Sequence, residues 1–191
     1  VPDADEVKNN IEQHLSTLKG RDIITELAFF GGSFTALDST LQTQFLEIAQ
    51  PYLQNKSISN IRISTRPDAI TDENLQLLNQ YGVSIIELGV QSLDDEVLRL
   101  SGRGYSASIV YEAADKIVAH GFLLGMQMMI GLPGSTHEKD LFTAKEIIRC
   151  GAKGTRIYPL LVFRDTDLEQ LYINNEYTPL SVDEAVEQSA D

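Results

Sequence analysis

The run Glu26-Leu-Ala-Phe-Phe-Gly-Gly-Ser-Phe-Thr35 reads as an apolar strand that ends in two adjacent glycines. Gly31 and Gly32 leave bare backbone N–H and C=O groups at the strand's carboxyl end, with no Cβ to hold a ligand off. Ligands bind at that end of the sheet in α/β proteins, although a plain tight turn uses the same two residues. Later strand-like runs carry polar residues in steps of two. Arg62, Ser64 and Arg66 share one face opposite Ile61 and Ile63, and Glu87, Gly89 and Gln91 share one face opposite Ile86, Leu88 and Val90. Gln127 interrupts Met126, Met128 and Met129, and Arg156 shares a face with Tyr158. Parallel strands covered on both sides should read as nearly continuous hydrophobics, and an unpaired polar group buried in hydrocarbon costs several kcal/mol. These groups therefore pair in an internal Glu87–arginine network, or they line a wet cavity that holds a ligand. Recurrence on four strands favours the cavity. His137 reads as a first-turn helix residue and the three methionines as core, so no metal-ligand set is read.

The elements that position these residues alternate in period. A capping arrangement at Asp3-Ala-Asp-Glu6 opens a helix with the stripe Val7, Ile11, Leu15 and Leu18. Strands are predicted over 24–30, 61–65, 84–90, 122–130 and 154–161. Helices are predicted over 39–53, from Thr71 to near Gly82, over 94–100 and 106–120, and from a capping box at Ser135-Thr-His-Glu138 to Arg149. The polar tail closes with a helix opened by Ser181-Val-Asp-Glu184. This αβαβαβαβαβα order predicts a parallel sheet, either barrel or open. The division expected is a core over residues 1–163 and a C-terminal extension with a helix over 164–191. The chain opens without methionine on Val1-Pro2-Asp3, directly into a helix. The first strand and its loop are therefore expected upstream of Val1.

The 191 residues suit one domain, or one domain with a short extension. A net charge of −13 provides no basic surface for a nucleic-acid backbone. The single cysteine, Cys150, excludes an internal disulfide framework and fits a reducing, cytoplasmic setting. No apolar run approaches the ~20 residues of a membrane span, and no signal-like segment opens the chain.

Four segments in order, Phe-Phe-Gly-Gly-Ser-Phe-Thr35, Ser-Thr-Arg-Pro-Asp68, Ile-Glu-Leu-Gly-Val-Gln-Ser92 and Met-Met-Ile-Gly-Leu-Pro-Gly134, resemble the radical S-adenosylmethionine (SAM) enzymes. The resemblance runs from about Ile24 to Leu161. It is nearest the branch holding the radical-SAM domain of the Elongator catalytic subunit, with oxygen-independent coproporphyrinogen III oxidase further off. It implies an α/β fold, a partial (β/α)₆ TIM-like parallel barrel that lacks its first strand in this chain. It also implies that the intact protein uses a 4Fe–4S cluster to cleave SAM reductively to a 5′-deoxyadenosyl radical, on a substrate that is a small molecule or transfer RNA.

Carried over by motif, Gly31, Gly32 and Ser33 would meet the methionine part of SAM. Gln91 corresponds to the glutamine of Gly-Val-Gln, and Arg103, twelve residues on, would meet the SAM carboxylate; an exposed loop arginine is the plain alternative. Arg66, Ser64 and Gln127 complete the expected SAM set. The last two stand where relatives carry a glutamate and an acidic residue or histidine, and Glu87 is a candidate for the missing carboxylate. The family's cluster takes three cysteines spaced Cys-x₃-Cys-x₂-Cys, and Cys150 cannot supply them. The resemblance places these ligands upstream of this chain, which alone is expected to be inactive.

Two other readings stand beside this one. A non-catalytic, degenerate barrel would bind a nucleoside-like ligand or serve as an interaction module. An ordinary (β/α) lyase or isomerase would need a phosphate loop after its late strands, and Gly131-Leu-Pro-Gly134 makes a poor one. No membrane partner is expected; the unpaired edge of the 24–30 strand is expected either to self-associate or to be covered by the first helix or the tail.

Overall fold

The computed structural model describes residues 2–21 and 23–190. Helix α1 (Ala4–Thr17) opens on the expected capping box: Asp3 accepts from the Glu6 N–H at 2.8 Å, and the Glu6 carboxylate accepts from the Asp3 N–H at 3.0 Å. Five strands follow, β1 (Glu26–Phe29), β2 (Asn60–Thr65), β3 (Val83–Gln91), β4 (Leu123–Ile130) and β5 (Gly154–Pro159). Between them run α2 (Ser39–Gln54), α3 (Asp72–Gln80), the pair α4 (Asp95–Leu100) and α5 (Ala107–Ala119), and α6 (His137–Arg149). All neighbours pair in parallel in the order β1-β2-β3-β4-β5, so each strand lies beside the next in sequence.

The sheet curls. Four inter-strand steps would separate β1 from β5 by about 19 Å in a flat sheet. Yet the Arg156 guanidinium on β5 lies 4.5 Å from the ring centroid of Phe30, the residue after β1. Outside the curl, Ile61, Ile63, Ile86, Leu88, Val90, Leu124, Met126 and Ile130 are buried against α2, α3 and α5, where Leu46, Leu75, Leu78 and Ile117 are fully enclosed. Each such side chain contributes about 1.5–3 kcal/mol. The alternate positions face into the curl, where the polar residues stand. The expected partial TIM-like barrel is therefore seen as a five-stranded half-barrel.

Several boundaries and caps differ from the sequence reading. Strand β1 begins at Glu26, its first residue paired with β2. Strand β5 stops at Pro159, although the Leu160 N–H still reaches the Ile130 carbonyl at 3.1 Å. Thr136, not Ser135, caps α6 by accepting from the Lys139 N–H. Ser135 instead donates to the buried Asp140 carboxylate, which also receives the Gly131 N–H at 3.3 Å, so the loop folds around Asp140. Met129 is not core: it faces into the curl, half-buried, whereas Met126 and Met128 are enclosed. In the tail, α8 (Val182–Ala190) begins at the expected Ser181–Glu184 box. Helix α7 (Asp167–Ile173), capped by Thr166, was not expected; it buries no residue, so its apolar pattern is faint. Among the described residues, no helix is long and apolar enough to cross a membrane.

Candidate functional site

The carboxyl ends of β1 to β4 close around a cavity of about 290 Å³. Seven of the eight residues expected to hold a ligand line it: Gly32, Ser33, Ser64, Arg66, Gln91, Arg103 and Gln127. Gly31 does not. At φ 100° it turns the chain away from β1 and lines a neighbouring apolar cavity with Phe29, Phe30 and Phe34, so Phe30 too lies outside the polar cavity. A Cβ added at Gly32 would meet nothing within 4 Å, which leaves its backbone open to the cavity.

Gln91 is positioned by strain. Its φ is 70°, a conformation that non-glycine residues adopt at a cost of about 1–3 kcal/mol. The β3–β4 register shifts between Gly89 and Gln91 at the same point. The strain is held by Tyr105, which the sequence reading passed over: its hydroxyl donates to the Gly89 carbonyl at 2.9 Å and to that of Val90 at 3.3 Å. Burial pushes the Tyr105 phenol up, so it stays a neutral donor. Gly89 is needed because its absent Cβ would stand 3.1 Å from Gln91 Nε2. Gln91 is buried and its Oε1 accepts from Gln127 Nε2 at 3.5 Å. A second joint, Thr35 Oγ1 to Thr65 Oγ1 at 2.6 Å, ties the Gly-Gly segment to β2.

The two cavity arginines are not equivalent. Arg66 is gripped by Asp68 through two bonds of 2.6 and 2.8 Å, lies 5.9 Å from the Tyr105 ring centroid and donates to the Arg103 carbonyl at 3.4 Å. Arg103 has no carboxylate partner among the described residues. Among the described residues its Nη2 reaches only the Met129 sulfur at 3.5 Å, and its buried Nε has no partner. An unpaired guanidinium in a polar cavity matches a ligand carboxylate. A free amino acid moiety, as in SAM, therefore fits the residues present. The iron–sulfur cluster does not: the lone Cys150 caps α6, and no group of three or more His, Cys, Asp or Glu side chains among the described residues is arranged to hold a metal.

A second layer lies deeper in the curl. Glu87 is 3% exposed; its Oε2 accepts from Arg156 Nη2 at 2.7 Å and stands 3.5 Å from Arg62 Nη1. Arg62 also donates to Glu26 at 2.8 Å. The amide of Asn60 and then this guanidinium, opposed by partial burial, hold the Glu26 carboxyl below its ordinary value. Both sequence alternatives thus coexist, an internal Glu87–arginine network and a polar cavity above it. Glu87 stands opposite Ser64 in the β2–β3 register and lines the cavity below the one that gathers the expected SAM residues.

The Radical SAM superfamily model matches residues 2–146, and the Radical_SAM C-terminal domain model matches residues 152–191. The chain is 33% identical over 174 residues to the tRNA uridine(34) acetyltransferase of Dehalococcoides mccartyi (strain CBDB1), covering 81% of this chain and 38% of that protein. It is 29% identical over 182 residues to Elongator complex protein 3 of Homo sapiens, covering 85% and 33%. The chain thus spans less than half the length of these relatives. Among solved structures it superimposes on the archaeal Methanocaldococcus infernus Elp3 with TM-score 0.81 and 27% identity, over 95% of this chain and 47% of that one. Coproporphyrinogen III oxidase from Escherichia coli shares the fold, with TM-score 0.66 and 19% identity over 98% and 44%. The chain belongs to the radical SAM superfamily.

Proposed function

We propose that this chain is the SAM-binding half-barrel of a radical SAM enzyme, with the cluster ligands supplied by residues outside it. The observation that carries the reading is Arg103, a half-buried guanidinium with no carboxylate partner among the described residues, in a polar cavity lined by the residues of the family's motifs. In this reading Arg103 holds the SAM carboxylate, the open backbone at Gly32 accommodates the methionine part, and Gln91 and Gln127 bind the remaining polar groups. Ser33, Ser64 and Arg66 frame the site without pairing with a charge on the ligand, and Gly31 turns the chain beside it. When bound and reduced, SAM supplies a 5′-deoxyadenosyl radical for hydrogen abstraction. The chain's part is to orient SAM and keep water from the lumen.

The substrate proposed is a uridine in RNA, on the strength of relatives named as tRNA uridine(34) acetyltransferases. With a net charge of −13 this chain contributes base contacts and not phosphate contacts. The test is 5′-deoxyadenosine formation by a form of the protein that also carries cluster cysteines. Release of 5′-deoxyadenosine upon reduction supports the reading, and a loaded cluster with no SAM cleavage overturns it.

A further inference from the structure

The lower layer is built as if to read the edge of a ring. Arg62, Glu87 and Arg156 come from β2, β3 and β5, and all three line one cavity of about 300 Å³. That volume lies at the small end of small-molecule sites, about 300–1,000 Å³. It is hollow because Gly125 and Gly154, partners across β4 and β5, place no side chain on that face, and a Cβ at Gly154 would meet nothing within 4 Å. Both arginines face the same carboxylate oxygen, Oε2 of Glu87. The other, Oε1, is buried and accepts no hydrogen bond from the described residues. A buried carboxylate oxygen left idle is costly, and a partial turn about the broad terminal torsion of glutamate brings it toward the cavity that Glu87 lines.

We infer that Arg62, Glu87 and Arg156 form a base-reading subsite for an imide edge of the uracil type. The inference rests on the uridine reading above and assigns it residues. The layer offers donor, acceptor, donor. Uracil offers the complement across its pairing edge: the O2 carbonyl, the N3–H and the O4 carbonyl. The N3–H supplies the missing donor to Glu87, and the two guanidinium groups donate to the flanking carbonyls. Cytosine presents an unprotonated N3 and an amino group, which places an acceptor against the carboxylate and a donor against a guanidinium. Discrimination of about 5- to 150-fold follows, the range for one well-formed base-edge pairing.

The experiment is ligand-observed NMR titration of the 191-residue chain, without SAM, using uridine, 3-methyluridine and cytidine as probes. Uridine is expected to bind at least about fivefold more tightly than either competitor. Glu87→Gln, which presents an amide donor, should erase or reverse the preference between uridine and cytidine. Gly154→Leu leaves the ion network intact and fills the cavity, so it should abolish uridine binding even if Glu87→Gln folds poorly. An RNA hairpin with one loop uridine, compared with its cytidine counterpart, tells an RNA source from a free nucleoside; preference for either uridine form supports the subsite. Equal binding of uridine and 3-methyluridine, no uridine binding, or uridine binding unaffected by Gly154→Leu overturns it. These outcomes do not depend on SAM cleavage. A protein that cleaves SAM but does not discriminate uridine loses only this inference, and one that discriminates uridine but never cleaves SAM loses only the enzyme reading.

Discussion

Replacing Arg103 separates a ligand contact from a structural one. Its side chain makes no ion pair among the described residues, and its one bond is to the weak acceptor Met129 Sδ. Its backbone N–H still reaches the Leu98 carbonyl at 3.0 Å in any variant, so the loop geometry is kept. Arg103→Ala should therefore cost folding stability only about 0.5–1 kcal/mol, mostly from lost packing of the aliphatic stem. A hydrogen-bonded contact to a charged group is worth about 1.5–3 kcal/mol, or about 10- to 150-fold in affinity. The assay compares SAM with 5′-methylthioadenosine, which keeps the adenosine and sulfur but lacks the amino acid. Arg103→Ala should weaken SAM by that factor and leave 5′-methylthioadenosine unchanged. Arg103→Lys should restore only part of the loss, because an ammonium cannot pair bidentately. An equal loss for both ligands would show a collapsed cavity, and no loss for either would refute the carboxylate assignment.

The two glycines should respond oppositely. Gly31→Ala, at φ 100°, should lower stability by about 1–3 kcal/mol in urea denaturation, whereas Gly32→Val should unfold as the parent does yet lose SAM; parental SAM binding in Gly32→Val would reduce the junction to a turn. Glu26 is held below the usual carboxylate range by Asn60 and Arg62. Its stabilisation should be present above the unfolded value of about 4.3 and fade as pH falls through the lower folded value. The stability gap to Glu26→Gln should therefore shrink from pH 7 to pH 3, and a constant gap would count against the pairing. Strand β1 ends the sheet, and Ile24 beside it is 85% exposed. Sedimentation equilibrium should show concentration-dependent association that Ile24→Lys weakens, and a monomer at every concentration would remove that expectation.

The sheet was legible because period-two alternation survives in single strands: Ile61 and Ile63 against Arg62 and Ser64, or Met126 and Met128 against Gln127. The same alternation had already marked Met129 as an inward residue, but three methionines so close together read as core. The layering was not legible. Whether Glu87 shares a level with Ser64 or with Gln91 depends on register, and the β3 irregularity at Gly89–Gln91 has no signature beyond the glycine. Tyr105 was missed because its task is to hold a bulge made sixteen residues earlier, a contact only the fold creates. Arg103 was found by its place in a motif. That it has no carboxylate partner among the described residues, the feature on which the proposed function turns, is a property of its neighbours and not of its own segment.

The claim that the upper cavity holds SAM is tested most directly by backbone-amide NMR of the chain during a SAM titration. Shifts are expected at Gly32, Ser64, Gln91, Arg103 and Gln127, with Gly125 and Gly154 in the lower layer unmoved. No shift at millimolar SAM, or shifts centred on the lower layer or the outer helices, would contradict it.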